Sequence, residues 1–472
     1  MSLAAVKLGY ATTMFTMTLK EIQNITNAKL IGDESKLDSS CVVRGINTDS
    51  RTIKHGELFV ALKGDNYDAH DFISHASDRG ASAYLLEREI AGIHPALVVK
   101  NTRLAFGQIA KAWRQQFNCP VVAVTGSNGK TTVKEMLSSI FSTQGNVLAT
   151  KGNFNNDIGV PITLYRLSDN HDSAVIEMGA NHMKEISYLT NLVNPDVAII
   201  TNAGSAHLEG FGSLDNIAKA KGEIFEGLSD NGVAILNYDD THFSYWEGLV
   251  VNKKIISFGS NSNADVSFVS QENNTLTIKI KNGSDFDLTL PLLGKHNILN
   301  ALSAIAASVA LNIKTEFIKQ GLESMQAVPG RLMQKQGVNN SVIIDDSYNA
   351  NPTSLAAAIE VISGFTGDHY VVLGDMGELG KDSIQLHKQA GKTIKQSKVK
   401  YLYTLGESSE STSNEFGSGA QHFSSKDDLV SQLNKNLKQG DVVLVKGSRS
   451  MQMENIVNSI CIETATLERE QG

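Results

Sequence analysis

A glycine-bearing turn lies between an apolar run and a helical pattern at residues 121–133, VVAVTGSNGKTTV. Gly126 and Gly129 let backbone N–H groups close around an anion, and the start of the helix adds partial positive charge. Lys130 can reach the β- and γ-phosphates of a nucleotide, and Thr131 can hold Mg²⁺. The spacing is tighter than that of the commonest phosphate loop, G-x-x-x-x-G-K-[ST]. The turn predicts a nucleoside triphosphate site formed by Thr125, Gly126, Ser127, Asn128, Gly129, Lys130, Thr131 and Thr132.

Two further side chains follow predicted strands of the same sheet. Glu177 comes at the end of SAVIEM (173–178), and His207 follows PDVAIIT (195–201). The carboxyl ends of parallel strands meet at one edge of a sheet, which also carries the phosphate turn. Both residues are therefore candidate functional groups. The alternatives are an exposed loop carboxylate for Glu177 and a helix-capping histidine for His207.

A helical pattern over residues 214–228 places a lysine among apolar side chains. The apolar stripe consists of Leu214, Ile217, Ile224, Phe225 and Leu228. Helical spacing puts Lys221 within this stripe and Lys219 on the opposite face. Burial of a lysine is costly and lowers its pKa. Lys221 can pair with a carboxylate such as Glu177, or its neutral amine can add CO₂ and ligate a metal as a carbamate. The residues alone favour pairing.

Further along the chain, polar residues occupy positions suited to a nucleotide. Asn297 and Asn300 share one face of a long helix and can hydrogen-bond a base, although Asn297 can also cap the helix. Arg331 follows a Pro-Gly pair and can reach phosphate, or it is a structural surface arginine. Asp345 and Asp346 end a predicted strand, and one of them can accept ribose hydroxyls.

No Ser-His-Asp, Cys-His or paired-carboxylate arrangement stands out in the sequence. A phosphate turn, candidate Mg²⁺ ligands and no obvious protein nucleophile predict phosphoryl transfer from ATP to a bound substrate.

Length and composition limit the class of protein. The chain has 472 residues, enough for two or three domains, and a net charge of −8 that gives a nucleic-acid partner no electrostatic support. Its three cysteines, Cys41, Cys119 and Cys461, show no metal-ligand spacing and predict a reduced, cytoplasmic setting. No apolar stretch is long enough to span a bilayer. The first residues, MSLAAVKLGYATT, lack the layout of an export signal and receive no function.

The pattern of strands and helices predicts an α/β fold with three domains. Residues 17–103 are expected to form a small α/β domain, and residues 104–327 a central, doubly wound and mostly parallel sheet that carries the phosphate turn. Within the central segment, period-two stretches at 264–290 predict an antiparallel insertion. Residues 328–472 restart the alternation as a Rossmann-like domain.

Several motifs occur in an order that resembles the Mur ligases, the ATP-dependent amide-forming enzymes of peptidoglycan synthesis. They are TGSNGKTT, IEMGAN, NAGSAHLEGFGS, AKAKGEIF, GKHNILNA, PGR and DDSYNANP. The resemblance runs from about residue 19 to the end. KGNFNNDIGVP (151–161), LGDMGELG with the later His387, and VKGSRSMQME (445–454) resemble the member that adds D-alanyl-D-alanine. The D-[DN]-P-R motif of the member that adds diaminopimelate is missing.

The resemblance implies a role for each candidate residue. Lys130 would contact the transferred phosphate, Thr131 and Glu177 would hold one Mg²⁺, and His207 with carbamylated Lys221 would hold a second, which reverses the preference from residues alone. Asn297 and Asn300 would contact adenine, Arg331 phosphate and Asp346 ribose. Residues implied to bind the other substrates are Asp49, Ser50 and Arg51 for UDP, and Asn153, Asn155 and Asn156 for the sugar-peptide. Lys446, Ser448 and Arg449 would lie near the dipeptide or at the closing interface between domains.

The resemblance also implies the reaction. UDP-N-acetylmuramoyl-tripeptide would be activated by ATP as an acyl phosphate and joined to D-alanyl-D-alanine, by a monomer with no membrane insertion. Three alternatives stay open: a related ligase that adds another amino acid, a regulatory ATPase that uses the turn to sense ATP, and a binding module without activity.

Overall fold

The computed structural model describes residues 15–32, 41–64, 66–205, 208–272 and 275–462. His207 therefore lies outside the described residues. The described chain forms three α/β units, each built on its own sheet, which confirms the predicted fold class. Within these residues, no helix is long and apolar enough to cross a membrane.

The first unit contains a five-stranded sheet and a two-stranded ribbon. The ribbon pairs β1 (Met17–Thr18) with β3 (Val42–Val43). The sheet has the order β2-β7-β6-β5-β4 and is parallel except for the β2–β7 pair. Its strands are β2 (Lys29–Ile31), β4 (Ile46–Asn47), β5 (Leu58–Val60), β6 (Ala83–Leu86) and β7 (Ala96–Val98), and its helices are α1 (Leu19–Thr26) and α2 (Ile73–Asp78).

The central unit is a nine-stranded sheet whose first seven strands in chain order run parallel. Its strands are β8 (Val121–Thr125), β9 (Val147–Ala149), β10 (Ser173–Glu177), β11 (Val197–Ile200), β12 (Val233–Asn237), β13 (Lys254–Phe258), β14 (Val266–Glu272), β15 (Thr275–Ile280) and β16 (Phe286–Thr289). The order is β16-β15-β14-β13-β12-β11-β8-β10-β9. The predicted antiparallel strands, β14 to β16, continue this same sheet through the parallel β13–β14 pair.

Helices cover both faces of the central sheet. They are α3 (Thr102–Arg114), α4 (Lys130–Ser142), α5 (Gly159–Leu164), α6 (Glu185–Val193), α7 (Leu208–Phe211), α8 (Leu214–Gly222), α9 (Phe243–Leu249), α10 (Lys295–Ala310) and α11 (Thr315–Glu323). Successive residues of β8 face opposite sides, so Val121 and Ala123 join one core and Val122 and Val124 the other. Helix α4, which follows the phosphate turn, packs against α10 and α11.

The third unit has a six-stranded sheet with the order β17-β18-β22-β19-β20-β21, parallel except for β17–β18. Its strands are β17 (Met333–Gln336), β18 (Val342–Asp346), β19 (His369–Gly374), β20 (Val399–Leu405), β21 (Ala420–Phe423) and β22 (Val442–Lys446). Its helices are α12 (Pro352–Ile362), α13 (Ser383–Lys395), α14 (Glu410–Phe416), α15 (Lys426–Asn436) and α16 (Glu454–Ile460).

Two sequence-based expectations need correction. The helix expected over 214–228 ends at Gly222 and continues as a 3₁₀ helix over Glu223–Gly227, and Leu214 is exposed rather than part of the apolar stripe. Phe15, which precedes the expected start of the first domain, is buried. Its ring lies 4.9 Å from that of Trp113 on α3, so Phe15 belongs to the folded core.

Candidate functional site

The phosphate turn follows β8, the third strand from one end of the central sheet. Strand β8 lies between β10, which ends in Glu177, and β11, so the turn is flanked by the ends of two other strands. Gly126 has φ +147° and Gly129 has φ +85°, conformations that L side chains rarely adopt. A Cβ on Gly126 would collide with the Thr201 hydroxyl, and one on Gly129 with Oδ1 of Asn300. Both glycines are thus required by the packing as well as by the turn.

The turn leaves a helix N-terminus open to an anion. Helix α4 begins at Lys130 after Gly129, which has no side chain to cap it, so its first N–H groups remain available. The Lys130 ammonium donates to the carbonyl of Gly126 across 2.7 Å. Desolvation lowers the pKa of Lys130, while the carboxylate of Glu177 acts in the opposite direction. These features fit a triphosphate.

Glu177 and Thr131 meet at the same edge. The Thr131 hydroxyl donates to Oε2 of Glu177 across 2.9 Å, and the amide of Asn155 donates to Oε1 across 2.8 Å. Glu177 is buried. A hydroxyl, a carboxylate and phosphate oxygens are the hard oxygen ligands that Mg²⁺ prefers, so the donor set fits this ion. Among the described residues, no three His, Cys, Asp or Glu side chains cluster as a metal site of their own.

Lys221 is buried as helical spacing predicts, and Lys219 is exposed. Among the described residues, the Lys221 ammonium has no hydrogen-bond partner, and it lies 5.5 Å from the centre of the Phe211 ring. Burial lowers the pKa of Lys221 to about 7, helped by the charge of Lys130 and opposed by Glu185 and Glu223. The structure thus supplies no hydrogen bond to Glu177, the pairing considered from sequence. It leaves a buried amine that is partly neutral near pH 7.

One cavity of about 1180 Å³ lies over this sheet edge and is lined by residues of the central and third units, with Asn101 at the junction to the first unit. The predicted residues that line it are Ser127, Asn128, Gly129, Lys130, Thr131, Thr132, Asn153, Asn155, Asn156, Glu177, Asn297, Asn300, Arg331, Asp346, Lys446 and Arg449. The predicted residues that do not line it are Asp49, Ser50, Arg51, Thr125, Gly126, Lys221 and Ser448. Asp49 and Arg51 instead pair with each other, with 2.7 Å between Oδ2 and Nη2.

The predicted nucleotide-binding asparagines lie side by side at the start of α10. The Asn300 amide donates to Oδ1 of Asn297 across 3.0 Å, and the Asn297 amide donates to the carbonyl of Leu293 across 2.7 Å. Gly294, rather than Asn297, occupies the capping position. Both amides therefore have fixed orientations on the wall of the cavity.

Residues of the third unit complete the wall opposite the turn. The Arg331 guanidinium lies 4.2 Å from the centre of the Tyr348 ring, and its Nη2 lies 3.5 Å from the Thr131 hydroxyl. The Asn351 amide donates to Oδ1 of Asn128 in the turn across 2.8 Å. Tyr348 and Asn351 were not predicted to be functional. Asn351 precedes a proline at a helix start, a capping signal visible in the sequence.

Comparison with known proteins places this site in a family. Residues 42–114 match the Mur ligase family catalytic domain, residues 124–308 the Mur ligase middle domain and residues 330–449 the Mur ligase glutamate ligase domain. The UDP-N-acetylmuramoyl-tripeptide–D-alanyl-D-alanine ligase of Escherichia coli (strain K12) is 44% identical over 95% of this chain and 99% of its own length.

Solved structures agree with the sequence comparison. MurF from Acinetobacter baumannii superposes with a TM-score of 0.89 at 35% identity, covering 94% of this chain and 99% of that one. MurF from Thermotoga maritima, solved in complex with ADP, superposes with a TM-score of 0.81 at 28% identity, covering 88% and 97%. The chain therefore belongs to the Mur ligase family. Within that family it is an ATP-dependent ligase of the MurF type.

Proposed function

We propose that this chain joins D-alanyl-D-alanine to UDP-N-acetylmuramoyl-tripeptide at the expense of ATP, as a step of peptidoglycan synthesis. The observation that carries the proposal is that one cavity is lined by the phosphate turn, by Glu177 and by residues of the third unit. A ligase must hold three substrates at once, and this cavity lies where the unit that carries the phosphate turn meets the third unit. The similarity to UDP-N-acetylmuramoyl-tripeptide–D-alanyl-D-alanine ligases supports the choice of substrates.

The reaction proceeds in two displacements. A carboxylate oxygen of the tripeptide bonds to the γ-phosphorus of ATP, and the bond from that phosphorus to ADP breaks. The amine of D-alanyl-D-alanine then attacks the acyl carbon, phosphate leaves, and the amine loses a proton as the amide forms. Lys130 offsets the charge that develops on the transferred phosphoryl group. The walls of the cavity limit access of water to the acyl phosphate.

The residues that would hold magnesium are Thr131 and Glu177 for one ion and His207 with carbamylated Lys221 for a second. Bound magnesium would neutralise phosphate charge and orient the phosphate oxygens. The unpartnered amine of Lys221 supports the carbamate, because a buried neutral amine can add CO₂ and become an anion. His207 lies outside the described residues, and its part in the site stays a prediction.

The remaining roles are those that the resemblance to the family implies, and only some of these residues line the cavity. Asn297 and Asn300 bind adenine, Arg331 binds phosphate and Asp346 binds ribose. The groups proposed for the other substrates are Asn153, Asn155 and Asn156 for the sugar-peptide, Ser448 and Arg449 for the dipeptide, and Asp49, Ser50 and Arg51 for UDP. We also propose that the protein acts as a monomer in the cytoplasm, where its three free cysteines would stay reduced.

The test is the release of ADP and phosphate with each substrate omitted in turn. Full turnover should require ATP, the UDP-muramoyl tripeptide and D-alanyl-D-alanine together. Lys130→Ala should abolish turnover, and Lys314→Ala, at an exposed site away from the cavity, should leave it unchanged. ATP hydrolysis that is independent of both other substrates would instead indicate a regulatory ATPase. Turnover with a different amine would indicate another member of the family.

A further inference from the structure

Two consecutive aspartates end strand β18, and each is paired with a lysine from a neighbouring strand. Lys446 of β22 donates to Oδ2 of Asp346 across 2.5 Å, and Lys335 of β17 donates to Oδ2 of Asp345 across 2.8 Å. Asp346 and Lys446 are register partners in adjacent parallel strands. Only one of the two pairs, Asp346 with Lys446, lines the cavity. Asp345 and Asp346 are successive strand residues and therefore face opposite sides of the sheet, which explains why only one of the two pairs reaches the cavity.

Lys446 is almost fully buried, with 2% of the residue exposed. A buried ammonium is stabilised only where its donors are used. Its second bond goes to the carbonyl of Asn349 across 2.9 Å. Lys446 therefore holds both the strand end at Asp346 and the loop that follows it. That loop carries Tyr348, which stacks on Arg331, and leads to Asn351, which contacts the phosphate turn.

This arrangement leaves one carboxylate oxygen of Asp346 available at the cavity wall. The hydrogen bond from Lys446 uses Oδ2, and the described residues make no hydrogen bond to Oδ1. A carboxylate with one oxygen fixed and the other available is suited to accept a ribose hydroxyl. Lys446 already donates two hydrogen bonds, to this carboxylate and to the loop, so it is poorly suited to be the main contact to a dipeptide.

We propose that Lys446 is a positioning residue for the nucleotide, which acts through Asp346 on the ribose and does not bind D-alanyl-D-alanine directly. The inference rests on the ribose contact in the proposed function and replaces the dipeptide role expected from sequence. Although Lys446 belongs to the third unit, it would serve the ATP site.

The experiment compares ADP with 2′,3′-dideoxy-ADP in wild type and in Lys446→Met. Wild type should bind the dideoxy analogue about tenfold more weakly than ADP, the loss expected for a hydrogen bond to a charged group. In Lys446→Met, ADP binding should weaken about tenfold, and the ratio between the two nucleotides should fall towards one. In turnover, the KM for ATP should rise while the KM for D-alanyl-D-alanine stays within twofold.

Lys335→Met is the matched control, because it breaks the neighbouring lysine–aspartate pair outside the cavity. It should leave both nucleotide affinities and their ratio unchanged. If Lys446→Met does not fold, Lys446→Gln carries the same expectations. An unchanged ratio between the two nucleotides, or a rise in the KM for the dipeptide alone, would overturn the inference. Nucleotide binding is measured without the other substrates, so this result is independent of whether D-alanyl-D-alanine is the amine used.

Discussion

The hydroxyl of Thr131 and the carboxylate of Glu177 lie 2.9 Å apart, joined by a hydrogen bond, although 46 positions separate them in the sequence. Strands β8 and β10 pair in parallel with Glu177 beside Val124, which brings the end of β10 to the start of the phosphate turn. The bond shows that both oxygens converge on one point. A cation at that point would be coordinated by both of them.

Glu177→Gln tests this convergence. The amide keeps the size and hydrogen-bonding capacity of the side chain but removes the charge that attracts Mg²⁺. We expect kcat to fall by about 100-fold or more and the Mg²⁺ concentration for half-maximal activity to rise. Glu135→Gln is the control, since Glu135 lies on the same helix as Thr131 and outside the cavity. Unchanged Mg²⁺ dependence in Glu177→Gln would contradict a ligand role.

Lys221→Ala should lower activity by about 100-fold or more, because the variant cannot form the anionic carbamate. Short-chain carboxylic acids such as propionate should restore part of the activity by supplying a carboxylate in the vacated space. Lys219→Ala, on the exposed face of the same helix, should behave as wild type. In carbon-13 NMR with labelled bicarbonate, a carbamate signal should be present in wild type and lost in Lys221→Ala. Full activity of Lys221→Ala without added acid would exclude the role.

Gly129→Ala should weaken nucleotide binding by about tenfold or more, because the new methyl group would collide with the Asn300 amide and distort the turn. Gly440→Ala is the matched control, since Gly440 has a similar φ of +84° and no atoms near the added methyl group. Both variants should lose about 1–2 kcal/mol of stability from left-handed backbone strain. Isothermal titration with ADP separates the two effects. Equal affinities in the two variants would show that the contact with Asn300 is unimportant.

Asn351→Ala should raise the KM for ATP several-fold, because Asn351 holds Asn128 of the phosphate turn. The substitution also removes a helix cap, which costs about 1 kcal/mol of folding free energy. Ser425→Ala removes the cap of α15 in the same unit without touching the turn, and it serves as the control. Thermal unfolding should show similar losses for both. A KM for ATP that is unchanged in Asn351→Ala would mean that the turn does not depend on the third unit.

His387 predicts a pH dependence of stability. Nε2 of this buried imidazole accepts from the backbone N–H of Met376 across 3.0 Å, which requires an unprotonated nitrogen. Burial lowers the pKa of His387 below its ordinary value of 6.5. The unfolded chain therefore binds more protons here than the folded one, so the stabilisation is complete above pH 6.5 and is lost as pH falls through the lowered pKa.

We expect the difference in unfolding free energy between wild type and His387→Asn to be larger at pH 8 than at pH 5. Denaturant titrations at both values measure it. His55→Asn, at an exposed histidine, should change stability by less than about 0.5 kcal/mol at either pH. A difference for His387→Asn that grows as the pH falls would contradict the proposed neutral state.

The order of the elements and the face that each residue presents were readable from the sequence, because they depend on local periodicity. Apolar runs marked the strands that end at Thr125 and Glu177, and a period of 3.6 placed Lys221 in the interior and Lys219 in solvent. The break of the helix at Gly222 was missed, since it depends on packing around the following 3₁₀ turn.

Tertiary structure alone decided which distant groups meet. From the residue pattern alone Asp345 and Asp346 were equal candidates, and the family resemblance favoured Asp346. The packing of the third sheet turned only Asp346 to the cavity. The pairing of Lys446 with Asp346 depends on the register of β18 with β22, and the contact of Asn351 with Asn128 joins residues 223 positions apart. Local sequence patterns fix the direction of a side chain but carry no information about its partner. The order of strands in a sheet and the packing of one unit against another depend on the apolar surface buried across entire sheet and helix faces.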